Sequence, residues 1–243
     1  MSLSIVGLVA PLILATLPAP ASHLYQPAFC LDRALRGPAV PYVPEPGDIF
    51  LATDESLFLR LGHTIVGGDG VHHSGIVFAR PDGSMGLMEA GPFNELVIRV
   101  LDPYQHMWNH VSRGTVVWVR KRRVPLTPEQ SARLTAFLAP QEGKKFALWR
   151  GLRFATPASR RGVLRTPFVA KVHGPDRNRY FCSELVVEAL VFACLMDPTT
   201  ARPAATLPRD LFFGHSGNPY LDRHLNMDAG WYPPARWLPG PPP

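Results

Sequence analysis

The stretch from Cys182 to Leu195, Cys-Ser-Glu-Leu-Val-Val-Glu-Ala-Leu-Val-Phe-Ala-Cys-Leu, most constrains the fold. After its first turn it carries apolar residues on nearly every side, and a helix of that kind belongs in the centre of a domain. The rest of the chain must therefore wrap it. At 243 residues, 46% hydrophobic and 18% charged, the chain is long and apolar enough for one globular domain with a full core.

The wrapping material comes first in sequence. Gly47-Asp48 opens Ile49-Phe50-Leu51-Ala52, a short apolar run that reads as a strand. Ser74 to Ala79 and Met85 to Ala90 flank Pro81-Asp82-Gly83, a turn-forming trio, and predict a β-hairpin. Glu95 to Leu101 and Thr115 to Arg120 are rich in β-branched residues and predict two more strands. A helix is expected from Thr127-Pro128-Glu129-Gln130, with Thr127 as cap, Pro128 at the first helical position and Gln130 closing a capping box. Its Leu134, Phe137 and Leu138 would face the sheet. Strands early and a buried helix late predict an α+β domain, an antiparallel sheet packed against a central buried helix that carries the cysteine.

Cys182 lies where a loop, His173 to Tyr180, gives way to that helix. Free backbone N–H groups and the positive end of the helix dipole stabilise a thiolate there, and the same amides can serve an oxyanion. Many inert cysteines share such a position, so the partners decide. The hairpin offers His72 or His73 as base and Glu89 as the residue that orients it. If Ala79 pairs with Met85 across a five-residue loop, Gly75 faces Glu89 and His73 is the diagonal neighbour of Glu89 on the same face, with His72 pointing the other way. An even-length loop would exchange the two histidines. Gly75 would also leave room beside Glu89 for the start of a helix. The remaining candidates have structural readings: Asp48 as a turn residue, Glu184 as a complement to the helix N-terminus, Tyr180 as packing. His63, His106, His110, His173, His215 and His224 are assigned no chemistry.

The ordered set Gly47-Asp48-Ile49, His73-Ser74-Gly75-Ile76-Val77, Glu89 and Tyr180-Phe181-Cys182-Ser183-Glu184-Leu185-Val186 resembles the circularly permuted papain-like amidases of the YiiX and YaeF type, in the NlpC-like superfamily. In those proteins the strand histidine precedes the cysteine helix, the reverse of ordinary papain order. The resemblance spans roughly Pro46 to Phe212. It implies a papain-like core with Cys182 as nucleophile, His73 as base and Glu89 as third catalytic residue. The expected activity is hydrolysis of an amide or ester through an acyl-enzyme on Cys182, without metal or cofactor. Two alternatives stand beside it: an acyltransferase that passes the acyl group to a lipid or amine, and a catalytically inactive, envelope-associated binding module.

Cys30, Cys182 and Cys194 show no C-x-x-C spacing and no paired histidines of the structural zinc kind, so no metal site is expected. Eight basic residues between Arg150 and Arg179 face only Asp176, a segment suited to an anionic surface. No nucleic-acid-binding motif accompanies them. Expected substrates are a peptide, an acylated amine or a lipid-like molecule. The apolar run Ile5 to Leu17 and the small residues after it suggest a signal peptide or membrane anchor over 1–22 and an exported or anchored protein. It lacks a basic n-region, and without export the protein would be cytoplasmic. The remaining boundaries are a proline-rich lead-in at 23–45, a catalytic domain at 46–214 and a proline- and aromatic-rich tail at 215–243, whose Trp231, Tyr232 and Trp237 would pack back on the domain.

Overall fold

A computed structural model describes residues 21–26, 35, 37–53, 70–92, 95–153, 172–174, 177–215 and 225–240. The N-terminal apolar run, Cys30, His63, His224 and most of the basic segment lie outside the described residues. Among the described residues no helix is long and apolar enough to cross a membrane.

The architecture is α+β. Ten strands are described: β1 (Ser22–Tyr25), β2 (Ala39–Pro41), β3 (Ile49–Ala52), β4 (His73–Ala79), β5 (Met85–Ala90), β6 (Ile98–Leu101), β7 (Val117–Arg120), β8 (Lys145–Phe146), β9 (Arg179–Tyr180) and β10 (Ala235–Pro239). The helices are α1 (Pro103–Ser112), α2 (Pro128–Leu138), α3 (Leu148–Arg153), α4 (Cys182–Phe192), α5 (Pro208–Phe213) and α6 (Met227–Gly230). Eight strands form one sheet in the order β2-β1-β10-β7-β3-β4-β5-β6, each neighbour antiparallel. The short β8 and β9 pair in parallel beside it.

Alternation along the strands sorts the core into two faces. Ile49, Leu51, Ile76, Phe78, Met88 and Trp118 point to one face, where they pack with Leu134 and Phe137 of α2 and with α4. Phe50, Ala52, Val77, Leu87, Val117 and Val119 point to the other, where Met107 of α1, Leu24 and Trp237 cover them. As its composition demands, α4 is buried from Cys182 to Val191. Side chains such as Leu185, Val186 and Leu190 each gain on the order of 2 kcal/mol by leaving water.

Its three buried polar residues have partners. Ser183 donates to the Thr206 carbonyl at 2.7 Å, and Glu188 accepts from the backbone N–H groups of His173 and Gly174 at 2.9 and 3.3 Å. Glu184 accepts from the Phe181 N–H at 3.3 Å, capping the helix as expected, and pairs with Arg177 at 2.6 Å and Arg150 at 3.1 Å. Two of the eight cations of the basic segment are thus turned inward.

The helix start at Thr127 carries the expected capping box. The sheet, however, reaches past 46–214 at both ends. Residues of the lead-in build β1 and β2, and the tail supplies β10, which lies between β1 and β7. The reason is burial: Leu24, Trp231 and Trp237 are almost wholly enclosed, and the sheet is where they find apolar partners. The strands expected over 95–101 and 115–120 form only at Ile98–Leu101 and Val117–Arg120.

Candidate active site

The hairpin adopts the odd-loop register. Ala79 pairs with Met85 and Gly75 with Glu89, so His73 shares the face of Glu89. Its Nδ1 lies 3.4 Å from Glu89 Oε1, an ion-pair rather than a hydrogen-bond distance. The space over Gly75 is filled differently from expectation. A Cβ there would come within 2.8 Å of the Met88 carbonyl and 3.1 Å of Leu87, with Phe50 next, so neighbouring strands rather than a helix start require the glycine.

The face that His73 and Glu89 share is covered by α1, an element absent from the sequence reading. Asp102 caps it, accepting from the Gln105 N–H at 2.7 Å, and Pro103 follows at the first helical position. His106 and His110, one turn apart, point inward from this helix. His106 Nε2 donates to Glu89 Oε2 at 2.6 Å. His110 Nε2 stands 3.2 Å from His106 Nε2, and His110 Nδ1 meets Thr115 Oγ1 at 3.2 Å. The imidazoles meet edge to face at 4.7 Å, each about 5 Å from the Phe50 ring. These are the functional candidates missed in sequence. Their signal was present as an Asp-Pro helix start followed by His-x-x-x-His.

Glu89 is fully enclosed. Burial opposes its ionisation, yet His106 above all, with His73 and His110, holds the carboxyl below its ordinary value. Its Oε2 is occupied by His106, while Oε1 accepts no hydrogen bond and faces His73.

Cys182 is the first residue of α4, with Phe181 as cap in extended conformation. Its side chain, 6% exposed, belongs to the core cluster of Ile76 and Met88, on the sheet face opposite that of His73 and Glu89. Phe146 links the segment before α4 to the strand end opposite His73. Continuing the hairpin register places Gly91 across from His73, and a Cβ on Gly91 would come within 3.0 Å of the Phe146 ring. Phe146 pairs with Tyr180 and packs with the cluster that contains Phe181.

Asp48 and Tyr180 are structural. Asp48, fully enclosed, accepts from the Tyr42 hydroxyl and the Glu45 N–H, both at 3.1 Å, and from the Arg122 N–H at 2.8 Å. Tyr180 donates to the Gly174 carbonyl at 2.6 Å. Cys194 is exposed at the far end of α4, where its left-handed backbone (φ 57°) terminates the helix.

No family model matches the chain, and no curated protein does. Among solved structures it is similar to the metalloprotein yiiX from Escherichia coli O157:H7, with a TM-score of 0.42 and 20% identity over 63% of this chain and 67% of that one.

Proposed function

We propose that the protein is a cysteine-dependent hydrolase of amide or ester bonds with a permuted papain-like core. Two observations support this reading: Cys182 opens a buried helix packed on β4, and His73, the first residue of β4, has its Nδ1 turned to a buried carboxylate. In this reading Nδ1 faces Glu89 and Nε2 serves the thiol.

The thiol proton passes to His73, and the Cys182 sulfur attacks the substrate carbonyl. The C–N or C–O bond breaks as His73 returns the proton to the leaving group, which leaves a thioester. Water, deprotonated by His73, then releases the carboxylic acid and free Cys182. Glu89 holds the ring and stabilises its cationic form. A peptide, an acylated amine or a lipid-like ester fits this chemistry.

The test is labelling with an acylating, thiol-directed probe on the full chain. Cys182→Ala should abolish labelling with the fold intact, and Cys194→Ser should leave it unchanged. His73→Asn should slow it about 10²- to 10⁴-fold, the usual worth of a positioned base. Labelling that survives in Cys182→Ala at substrate-like rates would sink the assignment. Product analysis with an added amine or alcohol separates hydrolysis from acyl transfer.

A further inference from the structure

The contacts behind Glu89 contain more nitrogen than an orienting carboxylate needs. Glu89 Oε2, His106 Nε2 and His110 Nε2 all lie within 4.8 Å of one another, and all three residues are buried. His106 already satisfies Glu89 at 2.6 Å, yet a second Nε2, that of His110, stands 3.2 Å from His106 Nε2.

The protons can be placed. The Thr115 hydroxyl donates to the His110 carbonyl at 2.7 Å, so toward the His110 ring its oxygen can only accept. His110 Nδ1 therefore carries a hydrogen, and the neutral ring presents a lone pair at Nε2. This is the arrangement of a metal-binding imidazole, whose remote N–H is held by a neighbouring acceptor that fixes tautomer and aim. Phe50 packs against both rings and restricts their rotation.

The geometry points to a site in which Glu89 Oε2, His106 Nε2 and His110 Nε2 bind a divalent first-row transition cation such as zinc. Two imidazoles and one carboxylate form a familiar three-ligand set for that ion, and histidines four apart on one helix present their rings to one side. Ligands about 2.0–2.1 Å from a tetrahedral ion lie roughly 3.3 Å apart, which the two nitrogens already satisfy. Binding replaces the proton that His106 shares with Glu89, and the carboxylate oxygen must draw back by roughly 0.7 Å to reach the same spacing. Calcium and magnesium are disfavoured, because only one of the three donors is oxygen. Glu89 Oε1 remains turned to His73, so the site leaves that pair intact.

Metal content after dialysis against zinc, and the visible spectrum after loading with cobalt(II), test this on the full chain. The expected result is about one ion per chain and cobalt bands typical of four or five ligands. His110→Ala should abolish both. Thr115→Val, which keeps the side-chain shape and removes the Nδ1 acceptor, should weaken zinc binding about 10- to 100-fold. Cys182→Ser should bind zinc as the unaltered protein does, so the site can stand if the hydrolase reading fails, and the converse. If His110→Ala does not fold by circular dichroism, the decision rests on Thr115→Val and on the melting temperature, which zinc should raise in the unaltered protein and raise less in the variant. The proposal is overturned if the unaltered protein retains no zinc, if Thr115→Val binds it equally well, or if binding requires Cys182.

Discussion

Replacing Asp48 by Asn tests whether burial or hydrogen bonding governs this carboxylate. Three donors reach its two oxygens, Tyr42 and Glu45 at Oδ2 and Arg122 at Oδ1, and on their own they would favour the charged form. Full enclosure acts against them and prevails, pushing the carboxyl from 3.8 up to about 6. The folded protein therefore holds this proton at pH values where the unfolded chain has released it. Between about pH 4 and pH 6 the native state binds more protons, so stability falls as pH rises through that window and the loss is complete above it. A rise of about two pH units corresponds to about 3 kcal/mol. Asparagine cannot titrate and can accept on one side only, so at pH 4 it should cost about 1–3 kcal/mol for a donor left opposed. By pH 8 most of that disadvantage should vanish or reverse. Urea unfolding of both proteins at half-unit pH intervals reads the difference directly and cancels every other titrating group. A difference that stays flat, or unaltered protein that gains on the variant as pH rises, would refute the claim that burial outweighs the three donors.

Gly75→Ala should destabilise by about 1–3 kcal/mol in denaturant unfolding, because its Cβ would press on the Met88 carbonyl, a backbone atom that cannot swing aside. An unchanged midpoint would contradict the strand register. Trp237→Ala should cost about 3–5 kcal/mol in the same assay, since this tail residue is fully enclosed against the sheet; a loss below about 0.5 kcal/mol would mean that the tail is not part of the core. Glu184→Gln should cost about 3–5 kcal/mol at pH 8, where it leaves Arg150 and Arg177 without their carboxylate. That cost should grow toward acid pH: burial first, against the two guanidinium groups, lifts the Glu184 carboxyl from 4.5 to about 7, so as pH falls through that window the folded protein takes up a proton that the unfolded chain has not yet bound and gains stability, which the variant cannot do. A pH-independent cost would contradict it.

What could be read from the chain concerns short range. The five-residue loop from Arg80 to Ser84 sets the parity of the hairpin, and parity alone decides that His73 rather than His72 shares a face with Glu89. Thr127 to Gln130 cap their helix through chemistry contained in four residues. The composition of Cys182 to Leu195 requires a central position, because an unbroken apolar surface has no other place free of water.

What only the tertiary structure decided concerns residues brought together by packing. Trp237 enters the sheet beside strands more than 100 residues away, since its indole needs an apolar wall and the turn chemistry of the tail does not say which. His106 and His110 were legible as a spacing on a helix, but the partner they face was not. Glu89 meets them because α1 closes over the face that strand alternation gives to Glu89, a choice made by the burial of Met107 against Val77 and Leu87 rather than by any local preference. Phe146, clustered with Phe181 ahead of the cysteine helix, packs over Gly91 for the same kind of reason. Local periodicity and hydrogen-bonding rules act over a few residues; which faces meet depends on how the whole apolar surface is removed from water.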